Sequence, residues 1–170
     1  MITNSVAFFN SHIIQPISNN NELIIAVWKL TNPGNIGQII RLAHNAGAKK
    51  VLFINEKIDF RDSKIKKTAG FSFDQMDWEF ISVEEFYLLL NKEFRLVILE
   101  TCNDSTNIFT TILPDKIIIL AGNESYGIPP DVIKKSNTKI YIPIPGDCKS
   151  MNVSHALSVA AFEWYRQKTK

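Results

Sequence analysis

Three polar, glycine-containing segments hold the residues whose types and spacing could do chemistry. They are residues 32–41, 121–129 and 141–156. Each begins within or just after an apolar run that is typical of a strand buried on both faces. The ligand crevice of a parallel α/β sheet lies outside the carboxyl ends of its strands. We therefore expect the three segments to meet at one crevice.

The first segment offers one charged side chain, Arg41, six residues after Asn35 on a stretch with helical spacing. A guanidinium is costly to bury alone, so Arg41 needs an anion or a carboxylate as its partner. Gly34 and Gly37 suggest a phosphate-binding loop at a helix N-terminus, but no G-x-G-x-x-G is present. This segment leaves an anion-binding role and a purely structural role open.

The second segment places the pattern G-N-E-x-x-G at the end of an apolar run. Gly122 would let a ligand lie close to the main chain. Glu124 could accept a hydrogen bond from an amine or a hydroxyl, or pair with Arg41. A tight turn with a solvated acid would have the same composition, so both interpretations stay open.

The third segment contains Ser150, Asn152 and Ser154 at the start of the C-terminal helix. One of them would be enough to cap that helix. Together they exceed what one cap requires, and a helix N-terminus favours anions or a cofactor carboxylate. We therefore predict that this segment binds a ligand as well as capping the helix.

Apolar runs predict strands at residues 23–28, 51–54, 78–81, 96–99, 117–120 and 140–143. Helical patterns separate most of them: one ends at Gly47, one follows a capping box at Ser82, one begins at Pro130, and one closes the chain. Residues 57–77 are charged, and we expect them to be irregular. The order predicts an α/β fold with a mostly parallel sheet flanked by helices. We expect residues 1–21 to be an extension, with a short helix around 6–14, before one domain at 22–170.

Composition excludes several classes of protein. The chain of 170 residues is 45% hydrophobic, which excludes intrinsic disorder and favours one domain. No apolar run approaches the ~18–20 residues of a membrane span. Two cysteines, Cys102 and Cys148, cannot build a disulfide framework or a four-ligand metal site alone. We expect a cytoplasmic, metal-free protein, and the net charge of +2 permits RNA without indicating it.

Taken in order, the three segments resemble the motifs of the SpoU/TrmH family of SPOUT-class RNA methyltransferases. Residues 35–41 resemble the motif N-x-G-x-x-x-R, and residues 122–127 resemble G-N-E-x-x-G. Residues 142–154 resemble I-P-x-x-G-x-x-x-S-[LM]-N-[VL]-S. The resemblance extends from residue 23 to the C-terminus and leaves out residues 1–21.

The resemblance implies methyl transfer from S-adenosylmethionine to a ribose 2′-hydroxyl of RNA, more readily tRNA than rRNA. It implies a SPOUT α/β fold with a deep C-terminal trefoil knot. The catalytic residues that it implies are Arg41, Asn35, Glu124, Ser150 and Asn152. The cofactor-binding residues that it implies are Glu100, Thr101, Ala121, Gly122, Ile142, Ser150 and Met151.

The role of Arg41 in such an enzyme has two alternatives. It could act as the base, or it could bind the neighbouring phosphate and stabilise the developing oxyanion. We favour the second role, because a guanidinium gives up its proton reluctantly.

The family also implies a homodimer that pairs through the first and last helices of the domain, away from any membrane. We expect Phe162, Trp164 and Tyr165 to make the last helix apolar on more than one face. We expect Leu42 and His44 to widen the apolar surface of the first helix in the same way. Exposed aromatic surface of this kind marks a contact with another chain.

Two other functions compete with the enzyme. One is a non-catalytic RNA-binding module with the same fold. The other is a Rossmann-type nucleotide enzyme, with Gly34 and Gly37 after the first strand and Glu56 after the second. Residues 57–67 are either an RNA-facing basic stretch or a solvated loop. His44 and His155 are predicted to be structural.

Overall fold

The computed structural model describes residues 4–55, 61–90, 93–123 and 126–169. Within them, parallel strands form one seven-stranded sheet in the order β3-β2-β1-β6-β4-β7-β5. The strands are β1 Glu22–Trp28, β2 Lys50–Ile54, β3 Trp78–Ile81, β4 Arg95–Leu99, β5 Thr106–Asn107, β6 Lys116–Ala121 and β7 Thr138–Tyr141. The predicted α/β class with a parallel sheet is confirmed.

Helices pack on both faces of this sheet. They are α1 Ser5–Ser11, α2 Pro33–Asn45, α3 Asp62–Ala69, α4 Ser72–Gln75, α5 Val83–Leu89, α6 Pro130–Ile133 and α7 Val153–Lys168. Because strand side chains alternate between faces, Leu23 and Val27 of β1 pack in one apolar layer with α2 and α7. Ala26 and Trp28 pack in the opposite layer, with α5 and α6.

Capping side chains set the starts of the helices. Asn32 Oδ1 accepts hydrogen bonds from the main-chain nitrogens of Gly34 (2.8 Å) and Asn35 (3.4 Å) at the start of α2. The capping box of Ser82 and Glu85 at α5 is confirmed. The Glu85 carboxylate accepts a hydrogen bond from the main-chain nitrogen of Ser82 at 2.7 Å, and hydrogen bonding with Ser82 lowers the pKa of this carboxyl.

The prediction that residues 57–77 are irregular is wrong where the structure describes them, because α3 and α4 lie there. The buried side of α3 is narrow, since only Ile65 and Ala69 of its residues are buried, and charged neighbours conceal this pattern. No pattern in the sequence indicates β5, which consists of Thr106 and Asn107 and is held at the sheet edge by pairing with β7.

The prediction that Trp164 belongs to an outward apolar surface of α7 is wrong. Its side chain is fully buried, and its Nε1 donates to the carbonyl oxygen of Pro114 at 2.9 Å. Leu42 is buried as well, and His44 is half-buried. Phe162 does face outward, with 48% of its surface exposed. The helical period alone did not show how wide an arc of α7 the core would cover.

The N-terminal segment before β1 contacts the domain through the last residues of the segment. None of the residues of α1 is buried, but Ile17 packs against the core. The hydroxyl of Tyr165 on α7 donates to the carbonyl oxygen of Gln15 at 2.9 Å. A domain boundary near residue 22 stays a prediction.

Gly37 generates the first testable prediction, because α2 and α3 meet at this residue. A Cβ on Gly37 would lie 2.1 Å from Thr68 Oγ1 and 2.3 Å from the carbonyl oxygen of Ile65. Alanine would gain ~1 kcal/mol of helix propensity, but overpacking this tight costs about 3 kcal/mol. We expect Gly37→Ala to lower the free energy of unfolding in urea by about 2 kcal/mol.

The control is Gly146→Ala, because a Cβ at Gly146 meets no atom within 4 Å. We expect this variant to unfold at the same urea concentration as the unaltered chain. A Gly37→Ala variant as stable as the control would contradict the tight contact between α2 and α3.

Candidate active site at the carboxyl ends of the strands

The carboxyl ends of β4, β6 and β7 meet at a cavity of about 270 Å³. Every residue predicted to bind the cofactor lines it: Glu100, Thr101, Ala121, Gly122, Ile142, Ser150 and Met151. The structure therefore brings these residues together as expected from strand ends in a parallel sheet. Their role in binding a cofactor stays a prediction.

Main-chain atoms form much of one wall, because the loop after β6 folds back on itself. A Cβ on Gly122 would lie only 2.5 Å from the carbonyl carbon of Gly127. Gly127 adopts a left-handed backbone, with φ of 62°, and its nitrogen donates to the carbonyl oxygen of Asn123 at 2.9 Å. Glycine is required at both positions, and the loop presents its main chain to the cavity. Glu124, a predicted catalytic residue of this loop, lies outside the described residues.

Buried asparagines hold the neighbouring turn after β1, and the sequence analysis missed both of them. Asn123 Nδ2 donates to the carbonyl oxygen of Lys29 at 2.6 Å. Asn55 Nδ2 donates to that of Leu30 at 2.9 Å. Lys29 has a positive φ of 48°, which is uncommon for a residue with a Cβ. The two amides stabilise this turn, and Asn123 could have been found from the G-N-E motif.

A hydrogen-bonded contact joins the first and third segments. Asn152 Nδ2 donates to Asn35 Oδ1 at 3.1 Å, and Asn152 Oδ1 accepts from the nitrogen of Ser154 at 2.9 Å, capping α7. Ser154 Oγ donates to Gln38 Oε1 at 2.8 Å. Asn152 thus caps α7, as predicted, and it also contacts α2; the binding of a ligand by its segment stays a prediction. Gln38 was not recognised, because nothing in its spacing distinguishes it from a solvent-facing residue.

Arg41 lies on the exposed side of α2. No hydrogen bond or ion pair joins it to Asn35, Ser150 or Asn152, nor to any other residue in the described part of the chain. It does not line the cavity. Among the described residues, Arg41 is thus an exposed guanidinium without a bonded partner.

The loop between β7 and α7 is held by its own hydrogen bonds. Lys149 Nζ donates to the carbonyl oxygen of Ile144 at 3.2 Å. The Cys148 sulfur lies 3.7 Å from the carbonyl oxygen of Ser150, and hydrogen bonding with Ser150 lowers the pKa of the Cys148 thiol. These contacts keep Ser150 and Met151 at the cavity.

The histidines lie outside the cavity. His44 Nδ1 contacts Ser72 Oγ at 3.0 Å, which fits the predicted structural role. His155 is exposed in the first turn of α7. The described residues contain no group of three His, Cys, Asp or Glu placed to hold a metal ion. In the same residues, no helix combines the length and the apolar character needed to cross a membrane.

The model of the SpoU rRNA methylase family matches residues 22–162. The chain belongs to this family. The resemblance found from the three motifs is therefore confirmed, and the Rossmann-type alternative is excluded. Gly37 of this SpoU-family chain packs against α3 and leaves no open phosphate loop, while Glu56 lies outside the described residues.

Two relatives of this SpoU-family chain differ in how much of their own length the similarity covers. The tRNA (cytidine(34)-2'-O)-methyltransferase of Escherichia coli is 31% identical over 153 residues, covering 85% of this chain and 93% of the relative. The 23S rRNA (guanosine-2'-O-)-methyltransferase RlmB of Blochmanniella floridana is 27% identical over 158 residues, covering 92% of this chain. The chain spans only 62% of that rRNA relative.

Solved structures share the fold. One, described by its authors as giving insight into 2-OH methylation of C/U34 on tRNA, superposes with a TM-score of 0.77 at 25% identity. It covers 88% of this chain and 97% of its own. An AdoMet-bound rRNA methyltransferase from Sinorhizobium meliloti superposes with a TM-score of 0.79 at 24% identity, covering 85% of this chain and 56% of its own. The SPOUT fold class is thereby shown, and the trefoil knot stays a prediction.

The contact between Asn35 and Asn152 generates the second testable prediction. We expect Asn152→Ala to lower the free energy of unfolding by about 1–2 kcal/mol, since it removes the cap of α7. We expect Asn35→Ala to lower it by ~1 kcal/mol. The double variant should lose less than the sum by about 0.5–1.5 kcal/mol, because the shared hydrogen bond is lost only once.

The control cycle combines Asn152→Ala with Ser82→Ala, which removes the cap of α5 on the other side of the sheet. The losses in this cycle should add. Strict additivity for Asn35 and Asn152 too, measured by urea unfolding, would show that their contact stabilises nothing.

Proposed function

We propose that this chain is an S-adenosylmethionine-dependent RNA methyltransferase that methylates a ribose 2′-hydroxyl of tRNA. The observation that carries the proposal is the cavity that joins all of the predicted cofactor-binding residues in a SpoU-family chain. The E. coli relative that acts on tRNA is matched over 93% of its length, which supports tRNA as the substrate in preference to rRNA. An RNA substrate also supports a cytoplasmic location.

The residues around the cavity fit the proposed cofactor. Apolar side chains of Leu99, Ile142 and Val153 suit a flat purine, and such sites combine apolar walls with a few placed polar groups. Gly122, without a side chain, leaves main-chain donors and acceptors within reach of that ring. Glu100 in the cavity lining supplies a carboxylate for ribose hydroxyls, while its Oε1 also accepts from the nitrogen of Thr101 at 2.9 Å.

S-adenosylmethionine, when bound, supplies an electrophilic methyl group. The task of the protein is then to place the ribose hydroxyl in line and to stabilise the charge that develops on its oxygen. Arg41 is suited to this task, because it is exposed and its guanidinium matches phosphate geometry with two hydrogen bonds.

Asn35 and Asn152 act on Arg41 as positioning residues, through the contact of α2 with α7. This contact fixes the helix of Arg41 relative to the segment that lines the cavity. Glu124 and Ser150 remain proposed catalytic residues on the strength of their motifs, and Ser150 is placed at the cavity.

The test of the proposed function is a calorimetric titration with S-adenosylmethionine, followed by transfer of a labelled methyl group to tRNA. We expect binding, transfer to a 2′-hydroxyl, and the same rate in the presence of a metal chelator. Mapping 2′-O-methylated nucleotides in cells with and without the gene identifies the target. A chain that binds RNA but not S-adenosylmethionine would instead be a non-catalytic RNA-binding module.

Arg41→Ala tests the assignment of the charged residue. We expect methyl transfer to fall by at least ~100-fold, which is the usual cost of removing a group that stabilises transition-state charge. Binding of S-adenosylmethionine should be nearly unchanged, because Arg41 does not line the cavity. Urea unfolding should also be unchanged, since Arg41 is exposed.

The control is Arg95→Ala, which removes an exposed arginine at the amino end of β4, the opposite end of the strand from the cavity. Its methyl transfer should match that of the unaltered chain. Parallel loss of S-adenosylmethionine binding and transfer in Arg41→Ala would instead assign Arg41 to the cofactor site.

The chain is also proposed to work as a homodimer that pairs through α7 and α2. Phe162 supports the part played by α7, because its half-exposed ring lies edge-on to Tyr165, with centroids 6.5 Å apart. Closed two-fold dimers are the commonest assemblies, and exposed aromatic residues favour contact with a second copy.

Phe162→Glu should therefore lower the mass measured by light scattering from the dimer toward 19.3 kDa without unfolding the chain. Trp164→Glu should unfold it, because Trp164 is fully buried in the core. Comparing the two variants distinguishes loss of the dimer interface from loss of the core. An unaltered chain of 19.3 kDa at micromolar concentration, with methyl transfer intact, would rule the dimer out.

A further inference from the structure

Phe71 is a large aromatic side chain that the fold holds in place but leaves open to solvent. It lies between α3 and α4, and 77% of its surface is exposed. Its ring stacks on that of His44, with centroids 6.0 Å apart and planes inclined by 29°. His44 is itself fixed by its contact with the buried Ser72. Phe71 thus has one ring face supported by the protein, while most of its surface faces water.

The spacing of residues on α2 places Phe71 near Arg41. Gly37, Arg41 and His44 are four and three residues apart, so they lie along one side of the helix. Gly37 contacts α3, and His44 contacts Phe71. Arg41 lies between these two contacts, one helical turn from the histidine that supports Phe71.

Exposed positive charges stand on α3 and at its start, in the residues that precede Phe71. Lys64 and Lys67 are three residues apart on the side of α3 opposite the buried Ile65, and Arg61 precedes them by the same interval. These three side chains have no salt bridge with any residue in the described ranges. Lys66 differs, since its Nζ lies 3.2 Å from a carboxylate oxygen of Asp74.

We propose that Phe71, together with Arg61, Lys64 and Lys67, forms a docking surface for an unpaired loop of the substrate RNA. A base that is not paired stacks on the open face of Phe71, and neighbouring phosphates contact the three cations. The surface ends beside Arg41, so the loop that docks there is the one that carries the target ribose. This inference rests on the proposed function.

The chemistry selects a single strand over a duplex. Cations alone would attract any RNA, because phosphate contacts dominate affinity. An exposed aromatic ring adds affinity only for bases that are free to leave their stack. An exposed aromatic ring combined with cations that make no salt bridge in the described ranges therefore fits an unpaired RNA loop and not a continuous RNA duplex.

The first experiment measures the affinity of Phe71 variants for a labelled RNA hairpin with an unpaired loop, and for the duplex of its stem. Removing a stacking ring costs about 5- to 100-fold in affinity. We expect Phe71→Ala to lose this much affinity for the hairpin, and far less for the duplex. Phe71→Trp should bind as tightly as the unaltered chain.

The matched control is Phe109→Ala, which removes a half-exposed ring beside β5 at the far edge of the sheet. Its affinity for the hairpin should not change. Thermal unfolding of each variant checks the fold, and the exposure of both rings predicts little change. A Phe71→Ala variant that binds the hairpin as tightly as Phe109→Ala overturns the proposal.

The second experiment measures how affinity for the hairpin depends on salt. Each phosphate contact contributes about 0.7 to the slope of log affinity against log salt concentration for a single strand. Lys64→Ala with Lys67→Ala should therefore reduce the slope by about 1.4. Lys135→Ala, which removes an exposed lysine stacked on Tyr87, is the control and should leave the slope unchanged. An unchanged slope in the double variant overturns the role of these lysines.

These measurements separate the inference from the proposed function. If the unaltered chain neither binds S-adenosylmethionine nor transfers a methyl group, the proposed function fails, and the comparison of RNA affinities still decides the docking surface. If the unaltered chain methylates tRNA and Phe71→Ala keeps its affinity for the hairpin, the docking surface alone is wrong. If Phe71→Ala changes the mass by light scattering but not RNA affinity, the surface contacts a second copy, and the proposal is overturned.

Discussion

The contact between α2 and α7 is the constraint on which the site depends. It joins residues that are 117 positions apart, through the hydrogen bond from Asn152 to Asn35. One such bond contributes only ~1 kcal/mol net, whereas burying a single large apolar side chain contributes about 1.5–3 kcal/mol. Burial of the apolar faces of both helices, including Ile39 and Leu157, therefore supplies the stability. The hydrogen bonds set how α2 and α7 align, and with it the distance from Arg41 to the cavity.

A second constraint acts where the strand-end loops meet. Main-chain atoms approach Gly122 so closely that a Cβ does not fit there, and Gly127 adopts a left-handed backbone that favours glycine. Polar groups buried by such packing are costly unless they are hydrogen-bonded. Asn55 and Asn123 meet this cost for the turn after β1, with bonds to Leu30 and Lys29. The rigidity of the cavity walls thus comes from glycines and amides and not from the charged residues that drew attention first.

These constraints explain how far the sequence could predict the fold and the site. Buried parallel strands leave continuous apolar runs, so the main strands and the crevice at their ends were predictable. Trp164 was misplaced because the core covers a wider arc of α7 than one helical stripe. α3 was missed because charged neighbours conceal Ile65 and Ala69, and β5 because pairing alone creates it. Buried amides such as Asn55 follow no period, and hydrophobic periodicity holds no information on how a chain threads, so neither these amides nor a knot can be derived from it.

The side chains of α2 contact several neighbouring elements, whereas Arg41 on the same helix stays exposed. Gln38 faces α7, whereas Gly37 and His44 contact α3, Phe71 and Ser72. Arg41 lies between the contacts of Gly37 and His44 along the helix, and its side chain stays exposed there. A hydrated guanidinium there costs the folded chain little, whereas burial without a partner would cost several kcal/mol. The protein thus keeps this charge at low cost, and an RNA phosphate that excludes water from it would meet a guanidinium that bonds to no residue in the described part of the chain.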